Sequence, residues 1–142
     1  MAEFRRKTIG IAVVEYQGSY LIGIRPPGAS LAGFAEFPGG KCEPGEEPSV
    51  AAVRECLEET GLPVEVRQLL ARRRYDYTYG TVDLHFFLCQ PTESPESHTD
   101  LHGFRWEKVT ALRALKFPDA NVPVVEMLEQ RAIENASSPA SS

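Results

Sequence analysis

One helix is delimited at both ends by the sequence itself, and it constrains the rest of the chain. Pro48 suits a first helical turn, where its missing N–H costs nothing, and Gly61 suits the left-handed residue that ends a helix. Between them Val50, Val53 and Leu57 recur at helical spacing, which predicts one apolar stripe facing a core. Most of the remaining periodicity is that of strands. Ile9 to Val14 and Ser19 to Ile24 are β-branched-rich runs separated by Gln17-Gly18, the pattern of a hairpin. A polar connection follows from Arg25 to Gly33, then Glu36-Phe37-Pro38, and Gly39-Gly40 and Pro44-Gly45 bracket a loop. Beyond Gly61, Val64 to Tyr79 and Thr81 to Cys89 read as strands, Pro91 to His102 as a polar loop, and Phe104 to Val109 as a last strand. Pro123 to Ile133 reads as a closing amphipathic helix. This order predicts a mixed α/β domain with a central sheet over residues 1–135, and a disordered tail over 136–142.

Composition narrows the partners. The 142 residues fit one domain, 42% of them are hydrophobic, and the formal net charge is -5 with no extended basic run. A protein that tracks a nucleic-acid polymer usually carries a basic stripe. Arg72-Arg73-Arg74, the one dense cluster, reads as a solvated strand edge. Small anionic substrates stay open, because a metal ion supplies positive charge. Cys42, Cys56 and Cys89 form no CxxC pair, which speaks against a disulfide framework or a thiolate zinc site and suits a reducing cytoplasm. No run reaches the roughly 18 apolar residues of a membrane span, and the charged start is not that of a signal peptide. Monomer and homodimer are both compatible with the sequence.

The chemistry concentrates between Gly40 and Leu62. On a helix, Glu55, Glu58 and Glu59 fall within roughly a 100° arc, with Arg54 beside them. Like charges three and four residues apart repel, and they sit at the helix end whose dipole prefers cations. A bound divalent cation reverses the sign of each of these terms. Oxygen-only ligation suits Mg²⁺ or Mn²⁺, and the lack of convergent His or Cys speaks against zinc. Alone, the three glutamates read first as an ordinary solvated helix face. The loop shifts that balance, because Gly39-Gly40 lets backbone approach an ion or phosphate closely, Glu46 is placed to return toward the helix, and Arg54 can hold a neighbouring carboxylate.

This string resembles the Nudix signature: Gly, five residues, Glu, seven residues, Arg-Glu, an apolar position, any residue, Glu-Glu, any residue, Gly, apolar. Gly40, Glu46, Arg54, Glu55, Glu58, Glu59, Gly61 and Leu62 each occupy their motif position, and Cys56 replaces an aliphatic residue. Glu36-Phe37-Pro38-Gly39-Gly40-Lys41 and Phe117-Pro118-Asp119-Ala120-Asn121 resemble the MutT-type branch, so the likeness covers most of residues 8–130.

The resemblance implies an α/β/α sandwich that hydrolyses a nucleoside diphosphate linked to another group. It implies that Glu55, Glu58 and Glu59, with the carbonyl of Gly39 or Gly40, ligate Mg²⁺, for which Mn²⁺ can substitute. Glu46 and Arg54 complete the catalytic set. Glu55 is the leading candidate for the general base, with Asp100 as its competitor. Arg25 and Lys41 are candidates for the substrate side, where a guanidinium fork suits phosphate. Asn121 is placed either to read a nucleobase or to cap the closing helix, and Phe37 either to line a base pocket or to fill core. Tyr77 or Tyr79 is placed either to stack on a base or, as is commoner, to stand as an exposed strand tyrosine. His85, His98 and His102 show no ligand spacing. Where the MutT type has an arginine near the base, this chain has Gly80, which speaks against specificity for an oxidised guanine. The expected substrate is a nucleoside triphosphate, including oxidised purines, with CTP, dihydroneopterin triphosphate and ADP-ribose as alternatives. A non-catalytic nucleotide sensor, the reading from another class, would tend to lose the motif glutamates, and all four stand here.

Overall fold

The hairpin at Gln17-Gly18 forms because both central residues take positive φ, 50° and 77°, the geometry whose twist matches the flanking strands. It joins β1 (Arg5–Tyr16) to β2 (Ser19–Ile24) in the register Tyr16↔Ser19. The structure, a computed structural model, describes residues 5–78 and 80–137. After β2 come β3 (Ala35–Glu36), β4 (Gly39–Lys41), α1 (Pro48–Thr60), β5 (Val64–Tyr77) and β6 (Gly80–Pro91). A 3₁₀ turn at Pro95–Ser97, β7 (Arg105–Lys108), α2 (Val109–Leu112), a 3₁₀ turn at Asp119–Asn121 and α3 (Val122–Ser137) complete the chain.

The sheet is mixed, as expected. Its order is β3-β2-β1-β6-β5, with β4 also on β1 and β7 also on β2. β1 runs parallel to β6 and antiparallel to β2 and β4. Because β1 is covered on both faces, its apolar residues run continuously and sort by alternation. Val13 joins Tyr20, Ile22, Phe86 and Leu88 under α2 and α3, while Ala12 and Val14 join Leu21, Phe87 and Cys89 under α1. The layers are therefore helix, sheet, helix. Arg72 to Arg74 lie on β5, the terminal strand, where Arg72 makes a two-pronged bond to Asp83 at 2.7 and 3.0 Å. At the opposite end of the domain, Tyr20 and Arg131 both donate to Glu15, tying α3 to the first hairpin.

The α1 helix has the bounds its punctuation predicts, with Pro48 in the first turn and Gly61 at φ 78°. Its buried face is different from the predicted one. The residues turned inward are Ala51, Ala52, Cys56 and Thr60, whereas Val50 and Leu57 are 55% and 49% exposed and Val53 is only partly buried. The cause is close approach. A Cβ on Gly10 of β1 would stand 2.1 Å from the Pro48 carbonyl oxygen and 2.8 Å from the Ala52 nitrogen, so helix and strand backbones nearly touch. Only small residues fit such a seam, and the larger apolar ones are rotated outward, where Val50, Val53 and Leu57 share a shallow groove with Val66. Leu57→Ser is therefore expected to change stability by less than about 0.5 kcal/mol, as at other exposed positions, whereas Ala52→Leu should cost about 3 kcal/mol by overpacking. Chemical denaturation of the two variants checks the pair.

α3 continues to Ser137, so residues 136 and 137 of the expected tail are helical, and 138–142 lie outside the described residues. Tyr79 and the side chain of Tyr77 also lie outside them. None of the described helices is long and apolar enough to cross a membrane.

Candidate active site

The site is built on three elements that meet at the C-terminal half of α1: the helix itself, strand β4, and the loop between them. In that loop Pro44-Gly45 makes a turn, with Gly45 at φ 78° and Glu46 N–H donating to the Glu43 carbonyl at 2.9 Å. The turn returns Glu46 to the helix, where Arg54 Nε and Nη2 donate to its two carboxylate oxygens at 2.8 and 2.9 Å. The Glu43 N–H adds a third bond at 3.0 Å. The Arg54 pair, helped by that amide, holds the Glu46 carboxyl at a pKa of about 2. Glu46 thus stays ionised and clamps Arg54.

Arg54 is a hub. Its Nη1 donates to Glu55 at 3.0 Å and to Glu58 at 3.2 Å, and its Nη2 also reaches the Lys41 carbonyl at 3.2 Å. The hydrogen bond with Glu46 leads in raising its already high pKa, so it remains a cation. Glu55 lies flat on the backbone of β4: a Cβ on Gly40 would fall 2.3 Å from the Glu55 Cδ. That is the physical need for glycine at position 40. Glu59 takes the neighbouring place, accepting the Gly39 N–H at 2.8 Å.

Burial raises the Glu59 carboxyl most, the Gly39 N–H lowers it, and the carboxylates of Glu36, Glu55 and Glu58 raise it further, leaving it at about 7. A half-buried carboxyl amid three others is where a divalent cation is most strongly favoured, and the donors offered are all oxygen. The residues therefore fit a hard metal such as Mg²⁺ or Mn²⁺. They do not gather on one point as the helical arc predicts. Among the described residues no three of the His, Cys, Asp and Glu side chains form a ready-made metal cluster. Arg54 Nη1 draws Glu55 and Glu58 to itself, while Glu59 turns to the Gly39 amide.

Arg25 is fixed by Glu36 Oε1 at 3.1 Å and by the Ser30 carbonyl at 2.6 Å. Since Glu36 also acts on Glu59, Arg25 stands next to the acidic cluster. The Lys41 side chain is exposed. Phe37 is buried and stacked on Phe117 at 5.3 Å between ring centres, so it belongs to the core beneath α3. Asn121 ends the 3₁₀ turn that leads into α3. Asp100 is exposed and accepts the His102 N–H at 3.0 Å. Sequence reasoning misses two neighbours of the cluster. Glu36 follows an apolar strand residue and carries no spacing signal, and His102 Nδ1 lies 3.1 Å from the Glu59 carbonyl across 43 residues of chain.

The family model for the NUDIX domain matches residues 4–128. The chain belongs to the Nudix family. This Nudix chain is 30% identical over 127 residues to the 8-oxo-dGTP diphosphatase of Escherichia coli (strain K12), covering 89% of this chain and 98% of that one. It is also 30% identical over 120 residues to the CTP pyrophosphohydrolase of the same organism, covering 81% and 85% of the two chains. Its fold is similar to the solution structure of the MutT protein of methicillin-resistant Staphylococcus aureus, with a TM-score of 0.71, 25% identity, and coverage of 90% and 98%. Its mixed sheet between helices matches the fold of its Nudix neighbours, and the enzyme is a hydrolase acting on pyrophosphate bonds.

Proposed function

We propose that this Nudix hydrolase is a Mg²⁺-dependent pyrophosphohydrolase of nucleoside triphosphates, releasing the monophosphate and pyrophosphate. The observation that carries the reading is the arrangement at the end of α1: Glu55 seated on Gly40, Glu59 on the Gly39 amide, and Arg54 locked by Glu46 between Glu55 and Glu58. Similarity over nearly the whole length of an 8-oxo-dGTP diphosphatase supports the substrate class.

Glu55, Glu58 and Glu59, with a carbonyl of Gly39 or Gly40, are the residues that would hold Mg²⁺. When bound, the metal neutralises phosphate charge and makes water a better nucleophile. Glu55, seated on Gly40, is then the group that accepts a proton from the attacking water, with Asp100 on the 92–104 segment as the competing acceptor. Arg54 keeps Glu55 aimed, and Glu46 keeps Arg54 from swinging into solvent. Arg25, prefixed by Glu36 and Ser30, offers a guanidinium to the polyphosphate with little rotamer freedom left to lose.

A CTP-type substrate is the second reading, favoured by the equal identity to a CTP pyrophosphohydrolase and by Gly80 in place of an arginine. Asn121, whose side-chain amide can offer both a donor and an acceptor, is assigned to base recognition. Asn121→Ala should compress the preference among bases by about tenfold, the scale of one lost hydrogen bond to a base, and leave the slowest substrate nearly unchanged. A panel of 8-oxo-dGTP, dGTP, CTP and ADP-ribose with Mg²⁺, products resolved by chromatography, tests both the class and this residue. An unchanged ranking in the variant removes Asn121 from recognition.

A further inference from the structure

The last turn of α1 has a carbonyl that its own helix cannot satisfy. In an α-helix the carbonyl of residue i accepts from the N–H of i+4. For Glu59 that residue is Pro63, which has no N–H. The neighbouring donors are committed elsewhere: Leu62 N–H to Thr60 Oγ1 at 3.1 Å, and Gly61 N–H to the Leu57 carbonyl at 2.9 Å. The partner comes from the other side of the sequence, His102 Nδ1 at 3.1 Å. A carbonyl only accepts, so Nδ1 carries the proton in this contact.

Three further features hold the imidazole there. Leu101, just before it, is buried in the core beneath α1. His102 itself adopts φ 56°, a conformation few residues other than Gly and Asn take readily. Its backbone N–H is bonded to Asp100 Oδ1 at 3.0 Å. Glu59 is consequently gripped at both ends, its carboxylate by the Gly39 amide and its carbonyl by His102.

We infer that His102 is a positioning residue for hydrolysis, its Nδ1–H binding the Glu59 carbonyl so that the segment carrying Asp100 is tied to the turn carrying Glu55, Glu58 and Glu59. This rests on the reading of those glutamates as the metal-holding turn. Without the bond the exposed Glu59 carbonyl passes to water, and the glutamate turn loses its tie to the segment carrying Asp100. Groups that orient metal ligands are worth about 10- to 100-fold in affinity or activity.

Three substitutions separate the donor from the backbone conformation. Asn and Gly both accept the left-handed backbone, but only Asn keeps an amide donor in the place of Nδ1, while Gln carries its amide nitrogen one bond farther out. With 8-oxo-dGTP or CTP, whichever the wild-type chain hydrolyses faster, His102→Gly and His102→Gln should lose about tenfold in kcat, with KM for the nucleotide little changed. His102→Asn should stay within about threefold of wild type, since its donor is retained. Calorimetric titration of Mn²⁺ without nucleotide should show the same order, about tenfold weaker in the Gly variant. A Gly variant with wild-type kcat and Mn²⁺ affinity overturns the inference, as does an Asn variant that falls as far as Gly. Glu55→Gln in the same assays keeps the two readings apart: if it retains the wild-type rate, the metal-holding turn itself is wrong, whatever His102 does.

Discussion

Glu55→Gln is expected to lose at least about 10³-fold in kcat while melting at the same temperature as the parent to within a few degrees. In the roles proposed for Glu55, a positioned general base contributes about 10² to 10⁴, and the loss of a charged metal ligand adds to it. The amide keeps the shape of the carboxyl and can still accept from Arg54 Nη1, which bonds Glu55 at 3.0 Å. Packing against Gly40 is therefore preserved, and the change is confined to charge and basicity. Glu58→Gln should fall in the same direction. Its side chain is 57% exposed, against 21% for Glu55, so its contribution to folding is smaller still. Steady-state hydrolysis with Mg²⁺ and a thermal melt decide the matter, and a rate within a few-fold of the parent would sink the assignment.

The parts of this site legible in the sequence are those fixed by near neighbours along the chain. Pro48 and Gly61 bound α1 by backbone chemistry alone, and the spacing of Glu55, Glu58 and Glu59 fixes their side of the helix whatever it packs against. The inward face is different, and the reason is physical. Hydrophobicity marks Val50, Val53 and Leu57, but the seam with β1 selects for size, and Ala51, Ala52 and Cys56 satisfy it. Gly10 is the available signal, a glycine inside an otherwise β-branched strand, which often marks close approach of another backbone. Contacts across long separations leave no such trace. The parallel pairing of β1 with β6 and the bond from His102 to Glu59 depend on sheet order, which local periodicity does not encode. Pro63 announces that the Glu59 carbonyl needs a partner, but not which residue supplies it.

Gly10 and Gly40 face each other across β1 and β4, and an added methyl at each should have opposite consequences. At Gly10 the new Cβ meets only backbone, the Pro48 oxygen at 2.1 Å and the Ala52 nitrogen at 2.8 Å. Neither can rotate away, so α1 must lift off the sheet. Gly10→Ala should cost about 3 kcal/mol, the upper end of ordinary overpacking, and lower the melting temperature by roughly 10 °C in a domain of this length. At Gly40 the new Cβ meets the Glu55 Cδ at 2.3 Å and Oε2 at 2.5 Å, the far end of a flexible side chain. The carboxylate can swing aside, so Gly40→Ala should leave stability within about 1 kcal/mol, as for other substitutions away from the core. Activity should nevertheless drop by about 100-fold, because a displacement near 1 Å of a reacting group costs that much. Melting curves and rates measured on both variants give a crossed pattern, stability lost at position 10 and turnover lost at position 40. Should Gly40→Ala keep its rate, the seat of Glu55 on β4 is not what places it for chemistry; should it melt as early as Gly10→Ala, the Glu55 side chain is not free to move and the helix bears the strain instead.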